Sequence, residues 1–404
     1  WVIRNSGMFI FDRVREAWPD RLSKIKVVSG DISQPELGLS PADCKLLMEE
    51  VNIVIHSAAT VRFDEPLAVA LTLNTLGTKR MVELCHRIKN LKSIVHVSTA
   101  YSNSDTHYEI QEKFYPVNYD PDFLLQCLTN LSHEGNHANT YTLTKALGEQ
   151  IILKYGEGLP ICIFRPSIIT AAFREPFPGW IDNFLGPTGK QTSFHLLTSI
   201  IISSTQEPTI YNCTSSSTNP ITWAKLTEYG VHHARTSPTQ HVLMYPNFVN
   251  TTSHAMHRFW ELTTHFAPSI FFDTLLICQG KKPIAMKISK KFKQAVKACH
   301  YFALHQFIFS NGNMACLVND LRTAEEYAEF FSDVKAIHWE TYISIYCRGV
   351  RKYLLKDTPD TMPAAQKKIR KQVIFIIVIV DTYWKLKVIL TTPCCRRDSR
   401  SLLV

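Results

Sequence analysis

A chain of 404 residues, 45% hydrophobic and 20% charged, has material for one large core and a smaller second unit, and this composition excludes a collagen-like or disordered protein. The net charge of +9 carries no dense basic run before the C-terminal region, which fits phosphate-bearing ligands or an anionic membrane surface better than a nucleic acid. The 11 cysteines show neither metal-ligand spacing nor a disulfide framework, so no metal and a reducing compartment are expected.

The chain opens on Trp1 rather than methionine and shows no signal peptide, so a processed chain or a fragment is expected. Lys24-Ile-Lys-Val-Val-Ser-Gly-Asp reads as a short strand closing on Gly30-Asp31. Ser40-Pro-Ala-Asp supplies an N-cap, a proline at the first helical position and early acidic charge, predicting a helix to Glu50. Val51 to Ala59 is a second strand ending in small residues, and Pro66 to Lys89 a long helix. Ser93 to Ala100 and Leu159 to Pro166 are two further strands, with a helix opening at Asn139 between them. Short, continuous apolar strands alternating with helices predict a doubly wound parallel sheet covered on both faces. In such sheets ligands sit at the carboxyl ends of the strands.

Residues with chemistry collect at those ends. Asp31 closes one strand with a carboxylate that suits an adenine amino group, or that caps a helix. His56-Ser-Ala58-Ala59 closes the next, where small side chains let a dinucleotide lie against backbone and His56 reads as a buried core histidine. Ser98-Thr99 brings hydroxyls to the third end, and Arg165-Pro166-Ser167 closes the fourth. Tyr141 and Lys145, four apart, share one helical face about one turn from each other. A phenol holds its proton to about pH 10 and a nearby ammonium favours the phenolate, so the pair is expected to exchange a proton with a carbonyl or alcohol oxygen.

Gly30-Asp31, His56-Ser-Ala-Ala-Thr-Val-Arg-Phe-Asp-Glu, Asn74 with Gly77-Thr78, Val95-His-Val-Ser-Thr-Ala-Tyr, Tyr141-x-x-x-Lys145 and Phe164-Arg-Pro-Ser-Ile together resemble an extended short-chain dehydrogenase. More narrowly, they resemble the alcohol-forming fatty acyl-CoA reductases. The likeness runs on through Pro178-Gly-Trp-Ile-Asp-Asn and Asn219-Pro-Ile-Thr-Trp to Asp333-Val-Lys-Ala-Ile-His-Trp and Tyr353-Leu-Leu-Lys. The resemblance implies a Rossmann-like domain over 1–226, a C-terminal helical domain over 227–360 and a basic, hydrophobic membrane-associated tail over 361–404. It implies NADPH-dependent reduction of a long-chain fatty acyl-CoA to a primary alcohol and CoA by way of an aldehyde. Tyr141, Lys145 and Thr99, or Ser98 beside it, would be catalytic. Asp31, Ile32, Ala58, Ala59, Thr60, Asn74, Pro166 and Ile168, together with Tyr141 and Lys145, would line the NADPH channel. A sterol or sugar-nucleotide dehydrogenase, or a truncated or non-catalytic relative, is the alternative.

The sequence departs from that family in two places. No Gly-x-x-Gly-x-x-Gly turn occurs, and Gly7 stands alone before Phe11-Asp-Arg. The passage from Pro187-Thr188-Gly189 to Tyr211 is short. A first βαβ portion is therefore expected to be missing, and with it the backbone amides that meet a dinucleotide's phosphates.

From Thr227 helical periodicity with aromatics takes over, as in Phe259 to Cys278 and Phe292 to Phe309. Val373-Ile-Phe-Ile-Ile-Val-Ile-Val follows Lys367-Lys-Ile-Arg-Lys and is interrupted by Asp381, Lys385 and Lys387. This tail is expected to associate with a membrane, spanning it or lying in its plane, with the catalytic domain facing the cytosol of an endoplasmic reticulum or peroxisome. Glu261, Pro268 and Asp273 argue for an in-plane or core position of Phe259 to Cys278. Asn-x-Ser/Thr triplets stand at Asn130, Asn212 and Asn250, and Cys394-Cys395 are adjacent.

Overall fold

Four β-branched runs pair side by side into one parallel sheet. In the computed structural model, which describes residues 11–63, 65–105, 107–129, 140–181, 208–242, 245–247, 253–319 and 333–374, these are β1 (Ile53–His56), β2 (Ser93–Val97), β4 (Ile161–Pro166) and β5 (Thr209–Cys213), in the order β1-β2-β4-β5. The register sets His56 beside His96, Val97 beside Phe164 and Pro166 beside Cys213. The carboxyl ends of the strands therefore lie along one rim. A two-residue parallel ladder, β3 (Glu109–Ile110) with β6 (Ile308–Phe309), lies apart from that sheet.

The helices follow in chain order. α1 (Asp12–Ala17) leads to α2 (Pro41–Glu50), whose first turn is held by the Ser40 hydroxyl accepting from Asp43 N–H at 3.1 Å. The long helix expected from Pro66 forms as α3 (Leu67–Ala70), a π-helical turn over Leu71–Leu76 and α4 (Gly77–Cys85). α5 (Pro121–Gln126) precedes α6 (Thr140–Tyr155), which crosses back to β4. Beyond β5 come α7 (Trp223–Thr236), α8 (His254–Glu261), α9 (Ala267–Cys278), α10 (Ala285–Leu304), α11 (Gly312–Asn319) and α12 (Trp339–Gly349).

Alternation along the strands feeds two cores. Ile94, Ile161 and Ile163 pack with Val82 and Cys85 of α4 and Ile152 of α6 on one face. Val95, Cys162, Phe164 and Tyr211 pack with Met314 and Leu317 of α11 on the other. Side chains of successive strand residues point to opposite faces, so an unbroken apolar strand needs cover on both. Each fully buried Ile or Leu adds about 1.5–3 kcal/mol relative to exposure.

Three differences from the sequence reading have physical causes. Lys24 to Gly30 is not a strand: among the described residues it has no ladder partner, although Ile25 is extended. Residues 308–319, expected in a helical part, instead pack with the first domain: Ile308–Phe309 pairs with β3, and α11 covers β5 with Glu112 accepting from the Asn313 and Met314 N–H groups at its start. Asn212 is fully buried, and its amide donates to Ile110 and Ser310 carbonyls at 3.2 and 2.7 Å, so it is closed to glycosylation. Asn130, Asn250, the 182–207 connection and the tail from 375 lie outside the described residues. Among the described residues no helix is long and apolar enough to cross a membrane.

The two later motifs meet as a clasp. The Asn219 amide donates to Val334 and Ile337 carbonyls at 2.9 and 2.8 Å, and Trp339 Nε1 donates to Asn219 Oδ1 at 3.0 Å. The Tyr342 hydroxyl donates to the Ala171 carbonyl at 2.6 Å. Further along α12, a Cβ on Gly349 would lie 1.7 Å from the Gly179 carbonyl oxygen, so this crossing is backbone against backbone and only glycine fits.

Candidate active site

Four segments build the site at the carboxyl rim: the loop after β1, the end of β2, the first turns of α6 and the C-terminal end of α10. Thr140 opens α6 and places Tyr141 and Lys145 on its inward side. Lys145 is buried, and its ammonium donates to the Val97 carbonyl at the end of β2, 2.8 Å away. Burial brings that ammonium down to about 8, with Glu149 opposing the shift.

Tyr141 is partly buried and its hydroxyl is hydrogen-bonded to the Thr99 side chain. Burial pushes the phenol up to about 12 against that hydrogen bond. The expectation of a phenolate favoured by Lys145 is therefore corrected. The lysine is spent on Val97 and itself weakened by burial, so Tyr141 keeps its proton throughout the neutral range and is poised to donate it.

Ser98 and Thr99 part company. Thr99 faces Tyr141, whereas the Ser98 hydroxyl donates to Glu149 Oε1 at 2.5 Å. Glu149 receives a two-pronged contact from Arg165, Nε to Oε1 at 2.9 Å and Nη2 to Oε2 at 2.6 Å, and a weaker one from Ser102 at 3.2 Å. Both charged side chains are essentially without solvent contact. Arg165 spends its remaining donors on the Gln111 and Lys113 carbonyls at 3.2 and 3.1 Å. Ser98 thus belongs to a buried ion-pair network under the site, which removes it as a substrate-facing hydroxyl.

The residues expected in a cofactor channel divide similarly. Asn74 is buried and does not face an open groove; Oδ1 accepts from Thr60 N–H at 2.9 Å while Nδ2 donates to the Thr60 carbonyl at 3.2 Å and Thr144 Oγ1 at 3.0 Å. It pins the loop after β1 onto α6. The Thr60 hydroxyl donates to Glu65 at 3.1 Å. The Thr78 hydroxyl donates to the Asn74 carbonyl at 2.7 Å, which leaves its oxygen to accept from His56 Nε2 at 3.1 Å. His56 is buried and its ring held neutral, burial taking it down to about 3, as a core histidine requires. Gly77 is needed because a Cβ there would approach Ile32 Cγ1 to 2.6 Å.

Asp31, Ala58 and Ile168 are exposed, Ile32 and Ala59 are half-buried, and Pro166 is buried at the end of β4. The Asp31 carboxylate accepts from Ser33 N–H and hydroxyl at 2.9 and 2.7 Å, which hold it below the usual carboxylate range. A groove of about 380 Å³ opens beside it, lined among others by Gly30, Asp31, Ile32, Leu37 and Ala58.

The aromatics of Phe292 to Phe309 were legible as a stripe, but not their meeting with Phe63 in a wall beside Tyr141. Phe63 meets Tyr141 edge-on at 5.4 Å between centroids, and Phe302 of α10 backs Phe63 at 5.8 Å. Tyr101, Phe307 and Phe309 continue the cluster. Glu149 had a signal: it stands four residues beyond Lys145, on the same helical face. Among the described residues no cluster suited to a metal ion occurs.

Comparison with known proteins gives a consistent picture. A family model described as male sterility protein, of NAD-binding type, matches residues 5–213, and a second with the same description matches 264–357. Fatty acyl-CoA reductase 1 of Gallus gallus is 33% identical over 401 residues, covering 90% of this chain and 78% of that protein. Fatty acyl-CoA reductase wat of Drosophila melanogaster is 31% identical over 399 residues, covering 89% and 77%. Among solved structures, the terminal R domain from the myxalamid PKS-NRPS biosynthetic pathway is 17% identical with a TM-score of 0.49, covering 84% of this chain and 78% of that one. Gly30, Ala58 and the Asp31 carboxylate, which suit the adenosine half of a nicotinamide dinucleotide, border a groove otherwise lined by aliphatic side chains, and Tyr141 with Lys145 stand by the end of the neighbouring strand β2.

Proposed function

Because this chain belongs to the fatty acyl-CoA reductase family, we propose that it reduces a long-chain fatty acyl-CoA to the primary alcohol, releasing CoA, with NADPH as reductant. The observation that carries the reading is the Tyr141 hydroxyl hydrogen-bonded to Thr99 at the carboxyl rim of a parallel sheet, one helical turn from Lys145. When bound, the nicotinamide supplies the hydride. Thr99 orients the thioester carbonyl, and Tyr141 hands its proton to the oxygen as negative charge builds there. Collapse of the tetrahedral adduct breaks the C–S bond, and the proton on its oxygen passes to the departing sulfur, so CoA leaves as the thiol. The aldehyde stays in place for a second round with a second NADPH, in which Tyr141, reprotonated from solvent, protonates the alkoxide. Phe63, backed by Phe302, packs edge-on against Tyr141 and fixes the orientation of its ring.

Lys145 has two tasks in this reading: holding the ribose hydroxyls and fixing the end of β2 through Val97. Asp31, Ile32, Ala58 and Ala59 border the adenosine half, Pro166 and Ile168 the nicotinamide half, while Thr60 and Asn74 keep the intervening loop in shape. The deciding experiment incubates the full-length protein with a long-chain acyl-CoA and either NADPH or NADH, then extracts the lipids. Fatty alcohol formed with NADPH supports the proposal; oxidation of neither nucleotide, or aldehyde as the sole product, overturns it. A membrane partner reached through the basic run Lys367 to Lys371 and the apolar stretch after it belongs to the same proposal, with the site on the cytosolic side of the endoplasmic reticulum or peroxisome.

The pH profile follows from the two titrating groups. Lys145 is brought down from 10.5 to about 8, so its positive charge is present below that pH and lost as pH rises through it. Tyr141 stays an acid up to about 12 and contributes no limb in the working range. kcat/KM is therefore expected to be flat near neutrality and to fall above pH about 8. Lys145→Arg should carry that fall out of the measurable range, since a guanidinium keeps its charge to above about pH 12. A profile that stays level well beyond pH 8 in the unsubstituted enzyme would refute the assignment.

A further inference from the structure

The hairpin formed by α8, α9 and α10 holds polar contacts at its seam and leaves large apolar side chains outside. Between the helices, Asp273 accepts from the Ile284, Ala285 and Met286 N–H groups at 2.8, 2.8 and 2.9 Å, capping α10 from α9. The Ser269 and Ser289 hydroxyls share a hydrogen bond of 2.6 Å, and Lys293 pairs with Glu261 at 3.0 Å. Outside, Phe259, Leu262, Ile270, Phe271 and Ile277 are 55–62% exposed. Soluble helices bury their apolar stripe and show water their polar one. Along α8 and α9 the only buried side chains described are those of Ser269 and Asp273, while large apolar ones face outward beside exposed Arg258 and Thr274.

Charge lies beside this surface. A cleft of about 430 Å³ at the start of α10 is lined by Lys287, Lys290 and Lys291, and the turn before it carries Lys282. None of these four lysines is paired with a carboxylate among the described residues. Exposed aromatic and aliphatic side chains flanked by unpaired lysines match the chemistry of an anionic bilayer's headgroup–acyl boundary.

We infer that the α8–α10 hairpin is an in-plane membrane-docking surface, seated on lipid bilayers that carry anionic headgroups. This contact is separate from the C-terminal tail and stands or falls independently of the reductase reading. Its consequence for that reading is geometric. The 20 residues of α10 rise about 1.5 Å each, so the helix reaches about 30 Å from the lysine cleft to its last turn. That last turn carries Phe302, which backs Phe63 against Tyr141. α10 thus connects the lysine cleft to the aromatic wall beside the reactive tyrosine.

Trp260, on the exposed side of α8, reports the docking directly. The full-length protein is mixed with vesicles of phosphatidylcholine, with or without phosphatidylserine, bearing brominated acyl chains. The Trp260 contribution is the difference from Trp260→Phe. Quenching of that contribution by the phosphatidylserine vesicles is expected, and Phe271→Asp/Ile277→Asp should abolish it with an unchanged thermal midpoint. Lys287→Glu/Lys290→Glu should weaken vesicle affinity at least about five-fold per lysine removed. Co-sedimentation without Trp260 quenching would mean that the tail alone binds, and would overturn the proposal. So would equal quenching by neutral vesicles, or a lipid-free dimer that the apolar substitutions dissociate. Alcohol formation from detergent-presented substrate is the separate readout, so loss of docking and loss of the reductase assignment remain distinguishable.

Discussion

Tyr141→Phe in the full-length protein is expected to lower kcat by 10²–10⁴-fold, roughly the contribution of one well-placed general acid. The substitution removes a single oxygen from a partly buried ring, and the ring's edge contact with Phe63 at 5.4 Å is kept. Folding and NADPH affinity should therefore change little. The Thr99 hydroxyl loses one partner and still accepts from the Tyr101 N–H at 3.3 Å. The measurement is single-turnover reduction of a long-chain acyl-CoA beside equilibrium titration with NADPH. Because burial holds the phenol at about 12, the proton is available at every pH where the protein is stable, and its loss should depress the rate uniformly across the neutral range. A variant that reduces acyl-CoA at the unsubstituted rate would show that the proton comes from elsewhere.

Glu149→Ala is expected to have the largest effect on stability, about 3–5 kcal/mol by analogy with other buried pairs broken on one side. Arg165 has essentially no solvent contact, and two of its donors point at Glu149. Removing the carboxylate leaves a buried guanidinium with only carbonyl partners and strips the Ser98 hydroxyl of its acceptor. Glu149→Ala/Arg165→Met should recover much of the loss, since removing both charges abolishes the stranded one. Urea unfolding of the single and double variants decides the matter. If the double variant is as unstable as the single one, desolvation of Arg165 is not the cause.

The sheet was legible because its signal is local. Runs such as Ile-Val-Ile-His and Ile-Cys-Ile-Phe are short, apolar and punctuated, and two-sided cover follows from their lack of polar alternation. Tyr141 and Lys145 were legible because helical spacing fixes a shared face. What the spacing could not tell was where the ammonium would point, and Val97 took it. Ser98 and Thr99 are neighbours at a strand end, so one must turn away from the other. The sequence does not say which; the position of Glu149 decides it. Asn74 was recognised from its motif but given the wrong task, because its partner Thr60 lies in a loop with no periodicity. Lys24 to Gly30 has the composition of a strand, yet composition cannot supply a neighbour to pair with. The stripe from Phe292 to Phe309 was legible, but its place in the aromatic wall was not, since Phe63 and Phe302 are far apart in the chain and meet only through the fold.

The small ladder between β3 and β6 sets an order of assembly. Strands β1, β2, β4 and β5 are all available once residue 213 has emerged from the ribosome, although one face of the sheet waits for Met314 and Leu317 of α11 to cover it. The Tyr101 cluster is different: it closes only when Phe307 and Phe309 arrive and Ile308–Phe309 pairs with Glu109–Ile110. Phe302, the residue that backs Phe63 against Tyr141, comes with the same late segment. A nascent chain can thus possess its sheet and its tyrosine while the pocket around that tyrosine is still open on one side. Loop closure over so long a separation is slow compared with local pairing. Completion of the reactive centre consequently waits until Phe309 has emerged, and the α8–α10 hairpin, which precedes β6 in the chain, leaves the ribosome before it.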